Sequence, residues 1–270
     1  TYDYDIIMNL KKINGETIKS NFILNNDGVK AEHGFVSITN DESEGFFVTW
    51  LDGRNMSINN LNSNHNPMTI RFAQITKEGE IINDTELDSM TCECCQTSVT
   101  NTDKGPVVVY RDRNKSEIRD IYITRSILGD WDNPKPVNDD NWKIKGCPVN
   151  GPAIDAQANN AVVAWITGSD DIPTVKVVFS EDSGATFGTA FQVDTGDGVG
   201  RVSTLMLANG EALISWVDWT DDGEALMLCR ATRNEGCVAR QTITKHAVSG
   251  SFNFPKLERS GDTIYLAWTQ

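Results

Sequence analysis

A few short stretches of this sequence concentrate the side chains that can do chemistry. Glu32-His33, Asp52-Gly53-Arg54, Cys92-Glu93-Cys94-Cys95-Gln96-Thr97, Arg111-Asp112-Arg113 and Cys147-Pro148-Val149-Asn150 combine guanidinium, carboxylate, imidazole, amide and thiol groups. Glu117, Arg119, Arg201 and Asp218 follow, and Tyr2 and Tyr4 supply two phenols near the start. A planar guanidinium holds a carboxylate through two parallel hydrogen bonds, so Arg54, Arg111, Arg113, Arg119 and Arg201 are a candidate anion-recognising set. His33, Gln96 and Asn150 are candidate polar contacts to the same ligand. The plainer alternative is that Asp-Gly-Arg and Arg-Asp-Arg are turn chemistry with ion pairs between neighbouring loops.

The six cysteines are an even set, which in an exported protein reads as disulfides. Cys229 and Cys237 flank the turn-like Arg233-Asn234-Glu235-Gly236 and are placed to face each other across a hairpin. For the remaining four, a bridge from the Cys92 to Cys95 cluster to Cys147 is expected, Cys95–Cys147 being the candidate pair, with a second bridge inside the cluster. The alternative is a thiolate site for copper(I) or zinc with His33 nearby. The disulfide reading implies no metal and no other cofactor.

With 38 acidic against 24 basic side chains and a net charge of −14, the chain is a poor match for nucleic acid or an anionic membrane. No apolar run approaches the roughly 20 residues of a membrane span. Together with the cysteines, this predicts a secreted or periplasmic protein; oligomeric state is left open. The start at Thr1-Tyr2-Asp3-Tyr4-Asp5 looks like a strand already under way, which suggests removal of upstream sequence.

The elements that must position these groups are strands. Helical periodicity is nearly absent, while β-branched and aromatic runs alternate with Gly, Asn and Asp. Five runs end alike, at Trp50, Tyr110, Trp165, Trp216 and Trp268, spaced by 60, 55, 51 and 52 residues. Such a period in an all-β chain means blades or a solenoid, and an aromatic closing each second strand suits the wedge between radially packed sheets. The chain is therefore expected to be one all-β domain over residues 1–270, a β-propeller of four-stranded antiparallel blades. The units run over about 33–88, 92–137, 146–193 and 200–246. Residues 253–270 and 4–24 read as half-blades that either close a fifth blade together or belong to a six- or seven-bladed ring. In such blades the loop leading into the first strand and the loop leaving the second lie on one face. The polar stretches above should therefore converge at one mouth of the central channel.

Ser180-Glu181-Asp182-Ser183-Gly184-Ala185-Thr186-Phe187 fits the Asp-box pattern S-x-D-x-G-x-x-[WF], and Ser126 to Trp131 is a shortened version one unit earlier. With Ala31 to Ser37, Trp50 to Arg54, Cys92 to Thr97, Tyr110 to Arg113, Glu117 to Tyr122 and Cys147 to Pro152, these segments give a resemblance to the sialidase (neuraminidase) superfamily of BNR-repeat propellers. In particular, the chain is similar to bacterial exo-α-sialidase-like proteins over most of its length. The resemblance implies a glycoside hydrolase acting on terminal acidic sugars of extracellular glycans, with a carbohydrate as partner. It also implies a tyrosine nucleophile with a carboxylate activator and a carboxylic acid for the leaving oxygen. By position Asp52 or Asp112 is the acid, Glu32 or Glu117 the activator, and Tyr2 or Tyr4 the nucleophile. The Arg-Ile-Pro tripeptide that supplies one arginine of the sialidase triad does not occur here. The alternative functions are a non-catalytic propeller that binds glycan, peptide or a soft metal ion, and a structural scaffold.

Overall fold

The computed structural model describes residues 3–43, 45–56, 67–248, 250 and 252–269. It is a β-propeller. The first two strands, β1 (Ile7–Lys11) and β2 (Thr17–Ile23), form a two-stranded sheet. Four full blades follow. The first is β3 (His33–Asn40), β4 (Phe46–Asp52), β5 (Met68–Ile75) and β6 (Ile81–Thr91). The second is β7 (Ser98–Thr102), β8 (Gly105–Arg111) and β9 (Ile121–Ile127), with β10 (Asp130–Trp131) and β11 (Lys135–Pro136) both on the outer edge of β9. The third is β12 (Ala153–Gln157), β13 (Asn160–Thr167), β14 (Thr174–Ser180) and β15 (Phe191–Gln192). The fourth is β16 (Gly198–Met206), β17 (Ala212–Thr220), β18 (Gly223–Thr232) and β19 (Gly236–His246). A last pair, β20 (Lys256–Ser260) and β21 (Thr263–Ala267), ends the chain. No helix among the described residues is long and apolar enough to cross a membrane.

The apolar residues are buried between blades rather than within them. One cluster joins Val162, Ala164 and Val177 of the third blade to Met206, Ile214 and Trp216 of the fourth. Another joins Val107, Val109 and Ile123 to Val163, Trp165 and Val178, and a third joins Leu51, Ile70 and Phe72 to Val99 and Tyr110. Second strands are covered on both faces, which is why Val107-Val108-Val109-Tyr110 and Ala161 to Trp165 are continuous apolar runs with no polar alternation.

Packing of this kind leaves two kinds of polar group to satisfy, and each blade satisfies them alike. On the inner strands, a side chain accepts the backbone N–H of the next blade. Val99 N–H bonds Ser37 Oγ at 3.1 Å, Ile154 N–H bonds Ser98 Oγ at 3.2 Å, and Leu257 N–H bonds Ser203 Oγ at 3.0 Å. Asp155 takes the same part toward Met206 N–H, at 2.6 Å. These inner strands, β3, β7, β12, β16 and β20, surround a polar central channel of about 310 Å³. At the end of each second strand, the polar atom of the buried aromatic ring meets a carboxylate. Trp50 donates to Asp52 at 2.8 Å, Trp165 to Asp140 at 2.6 Å and Trp216 to Asp218 at 2.6 Å, and the Tyr110 hydroxyl donates to Asp88.

Among the described residues the two half-blades do not join in one sheet: no ladder joins β21 to β1, and each pair packs on its own neighbour. Met8, Phe22 and Leu24 lie against Val48 and Trp50 of the first blade, whereas Phe252 and Leu266 lie against Val217 and Leu226 of the fourth. Ile7 on β1 and Tyr265 on β21 stay exposed.

The serine bonds make a direct prediction. Ser98→Ala strands the Ile154 N–H between blades and should cost about 1–2 kcal/mol of unfolding free energy, read as a lowered denaturant midpoint at unchanged m-value. Ser116→Ala, on an exposed turn, should stay within about 0.5 kcal/mol of the parent.

Candidate functional site

The ladder registers fix which loops share a face. His33 opens β3 directly opposite Asp52 at the end of β4, and Gly198 opens β16 opposite Asp218 near the end of β17. The loops leading into first strands and leaving second strands therefore meet at one mouth of the channel. The sequence candidates fall there in three groups.

The first group belongs to the first blade. The fully buried Asp52 carboxylate accepts Trp50 Nε1, the Arg54 backbone N–H at 3.0 Å, and Arg54 Nε and Nη2 at 2.8 Å each. Against the pull of burial, the Arg54 hydrogen bonds hold this carboxyl below its usual range. Arg54 Nε also reaches Asp27 Oδ2 at 3.0 Å. The His33 side chain is fully buried, with Nδ1 3.0 Å from the Tyr4 carbonyl oxygen and Nε2 3.2 Å from Asp27 Oδ2. A carbonyl oxygen only accepts, so Nδ1 carries a proton. Asp27, His33 and Asp52 have ligand atoms within 4.8 Å of one another, but the Arg54 guanidinium already sits where a cation would neutralise the two carboxylates. Glu32 enters through its backbone, bridging to Tyr4 and accepting the Gly53 N–H at 2.9 Å, while the Tyr4 residue is half exposed. Tyr2 lies outside the described residues.

The second group is a closed square of alternating charge on the second blade. Arg113 pairs with Glu93 and, at 2.7 Å, with Glu117; Arg119 pairs with the same two carboxylates at 3.2 and 3.1 Å. The loop carrying it is tight. Glu117 takes a positive φ of 61° and its N–H bonds the Asn114 carbonyl at 2.9 Å, which turns its carboxylate back onto both arginines. Hydrogen bonds from Arg113, then Arg119, hold the Glu117 carboxyl below its ordinary value. In the same loop Asp112 goes the other way. It is 7% exposed, and burial, reinforced by the nearby Asp88 charge, pushes its carboxyl up to about 7.

Arg111 is a brace rather than a ligand-binding group. It is fully buried, and donates to the carbonyl oxygens of Asn150, Arg119 and Ile166 at 2.8, 2.7 and 2.7 Å, with its guanidinium 4.8 Å from the centre of the Trp142 ring. Burial drives it down to about 9. The third group is similarly committed. Asn150 donates to the Pro148 and Val199 carbonyls and accepts the Arg201 N–H at 2.9 Å. Arg201 pairs with Glu224 and with the Phe252 carbonyl. Gln96 Oε1 accepts the Gly151 N–H at 3.1 Å, an approach so close that a Cβ on Gly151 would lie 1.8 Å from the Gln96 carbonyl oxygen. Each of the five candidate arginines thus has a partner from the protein itself.

All six cysteines are bridged. Cys229 pairs with Cys237, as the hairpin spacing requires. The expected link to Cys147 leaves from Cys94 instead of Cys95, and Cys95 pairs with Cys92. Three residues were not legible as site members. Asp27 sits in an Asn-Asp-Gly turn that reads as loop chemistry, and neither Glu224 nor Asp140 carries a local signal beyond its charge.

No protein-family model and no curated protein matches the sequence. Solved structures do match in fold. A protein of unknown function from Dyadobacter fermentans superposes with a TM-score of 0.62 at 11% identity, over 99% of this chain and 79% of that one. An α-L-arabinofuranosidase from Fusarium graminearum with an iminosugar inhibitor superposes with a TM-score of 0.53 at 9% identity, over 99% and 80%. An ulvan lyase bound to a GlcA–Rha3S segment gives 0.50 at 12% identity, over 92% and 60%. At these identities the likeness is one of fold.

Four carboxyls are raised first by burial: Asp112 to about 7, Asp155 and Asp218 to about 6, and Asp120 in the same direction. Their folded values exceed the unfolded one near 3.8, so the native state binds more protons between these limits and loses stability as pH rises from about 4 to about 7. The melting temperature should be higher at pH 5 than at pH 8 by on the order of 5 °C. Asp218→Asn should flatten that slope in a pH series of thermal melts.

Proposed function

We propose that this protein is an exported, carbohydrate-active propeller of glycoside hydrolase type that works at the channel mouth over its second blade. One observation carries the reading. Within a single loop, the environment pushes Asp112 up to about 7 and Glu117 down. Pairs of carboxyls separated in this way are what glycoside hydrolysis requires, one protonated to serve the leaving oxygen and one ionised. Asp112 is assigned as the acid and Glu117 as the ionised partner, with Glu93, Arg113 and Arg119 fixing the latter's position. Several fold neighbours are carbohydrate-active, which agrees with the assignment without deciding it.

A sialic acid substrate fits less well than a neutral sugar. Arg54, Arg111, Arg113, Arg119 and Arg201 are engaged by Asp27, Asp52, Glu93, Glu117, Glu224 or backbone carbonyls, and the chain is strongly acidic. A substrate carboxylate would have to displace one of these internal partners. The second reading, a glycan-binding propeller without turnover, is favoured by the same mutual neutralisation of charges. The disulfides agree with an oxidising compartment.

Aryl glycosides of neutral sugars, with an aryl sialoside beside them, test the assignment. Hydrolysis of a neutral glycoside should fall about 10²- to 10⁴-fold in Asp112→Asn, and the parent's rate should decline above pH 7 as Asp112 ionises. Turnover of the sialoside alone would overturn the neutral-sugar assignment. Absence of turnover together with glycan-array binding that Glu117→Gln abolishes would establish the binding reading instead.

A further inference from the structure

The four cysteines at the mouth of the second blade are arranged more tightly than two staples require. Cys92 Sγ lies 3.9 Å from Cys94 Sγ, although these two are not bonded to each other. The sulfur atoms of Cys92, Cys94 and Cys95 are all within 4.8 Å of one another, and Cys147 is bonded to Cys94. A tetrahedral zinc–thiolate centre has metal–sulfur bonds of about 2.3 Å, which places its sulfurs about 3.8 Å apart. The two disulfides therefore gather three sulfurs within 4.8 Å of one another, with Cys147 Sγ bonded to one of them, and opening the two bonds to about 3.8 Å would give the spacing of a tetrathiolate cage. The cage has a fixed wall and a movable one. Cys92 and Cys95 are buried, and the Cys92 N–H is pinned to the Arg111 carbonyl at 3.0 Å, while Cys147 is exposed on a loop.

The charge beside the sulfurs provides an independent indication. Arg119 is 4% exposed; its Nη1 sits 3.4 Å from Cys92 Sγ, and its Nε is a buried donor with no hydrogen-bond partner. Glu93 and Glu117 pair with its two Nη nitrogens, and toward Cys92 the disulfide sulfur is only a weak acceptor. A thiolate compensates the guanidinium well, and a cationic neighbour favours the thiolate form.

We propose that Cys92, Cys94, Cys95 and Cys147 form, when reduced, a tetrathiolate site for one thiophilic cation of the zinc or copper(I) type, with Arg119 offsetting part of the negative charge. The oxidised and metal-bound forms are alternatives. A small dithiol supplies two electrons and two protons to each disulfide and is itself oxidised to a disulfide, so four thiols appear at the cost of two reductant molecules. Zinc then displaces the four thiol protons to solvent as four sulfur–metal bonds form. The outer Cys94–Cys147 bridge is the one a solvent reductant reaches first.

The test uses the full chain with Cys229 and Cys237 both replaced by Ser, so that only these four thiols respond. The chain is reduced anaerobically with dithiothreitol, desalted, and titrated with zinc ion alone against a chromophoric chelator. Uptake of one zinc per chain is expected, with protection of all four cysteines from alkylation by mass spectrometry. Cadmium in place of zinc should give a thiolate charge-transfer band. Cys147→Ser should weaken zinc binding at least 10²-fold, and Arg119→Gln about 10-fold without changing the one-to-one ratio. If a variant does not fold, alkylation mapping of the reduced parent alone still decides the question. No stoichiometric uptake by that parent, or uptake that leaves Cys92 or Cys95 open to alkylation, overturns the proposal.

Discussion

Backbone ladders run within a propeller blade and stop at its edges, so nothing in the sheet itself joins one blade to the next. The cohesion of this ring depends on what side chains do across that gap. Apolar residues of facing sheets supply the bulk of it, since each main cluster draws on two neighbouring blades. The inner strands face one another around a polar channel, where their backbone donors would be stranded. Ser37, Ser98, Asp155 and Ser203 accept one such N–H each from the following blade. The same constraint explains the aromatic–carboxylate pairs. A Trp or Tyr large enough to fill the inter-blade wedge brings a polar atom with it, and Asp52, Asp88, Asp140 and Asp218 answer it.

That requirement places carboxylates around the mouth before any function is considered, and the arginines are placed by the carboxylates. Arg54 is bound to the Asp52 that serves Trp50, and Arg111 passes beneath the mouth to tie the second blade to the third through Asn150 and Ile166. Structural need and candidate chemistry share the same loops here. What distinguishes Asp112 is that it belongs to neither device: it is buried, close to Asp88, and raised in consequence. The Glu93–Arg113–Glu117–Arg119 square next to it holds its own charges in balance, and its arginines hold the Glu117 carboxyl low while burial holds that of Asp112 high.

The sequence determined much of this by itself. The 51- to 60-residue spacing of Trp50, Tyr110, Trp165 and Trp216 specified blades and their second strands, because a large ring recurring in an all-β chain has few other places to pack. It also specified the face on which the charged stretches meet, since that follows from strand order alone, and it identified Cys229–Cys237, since both residues lie on one hairpin. Only the tertiary structure decided who pairs with whom. Whether Arg111 faces a ligand or three backbone carbonyls, whether Cys94 or Cys95 reaches Cys147, and whether the two half-blades share a ladder depend on distances between segments that only the fold brings together, such as Arg111 with Asn150 and Ile166, 39 and 55 residues on. A local pattern carries no information about such distances. Asp52 ends a second strand and Asp112 follows one. The neighbours that lower the Asp52 carboxyl, Arg54 and Trp50, are two residues away in the chain, whereas the burial and the Asp88 charge that raise Asp112 come from the tertiary fold.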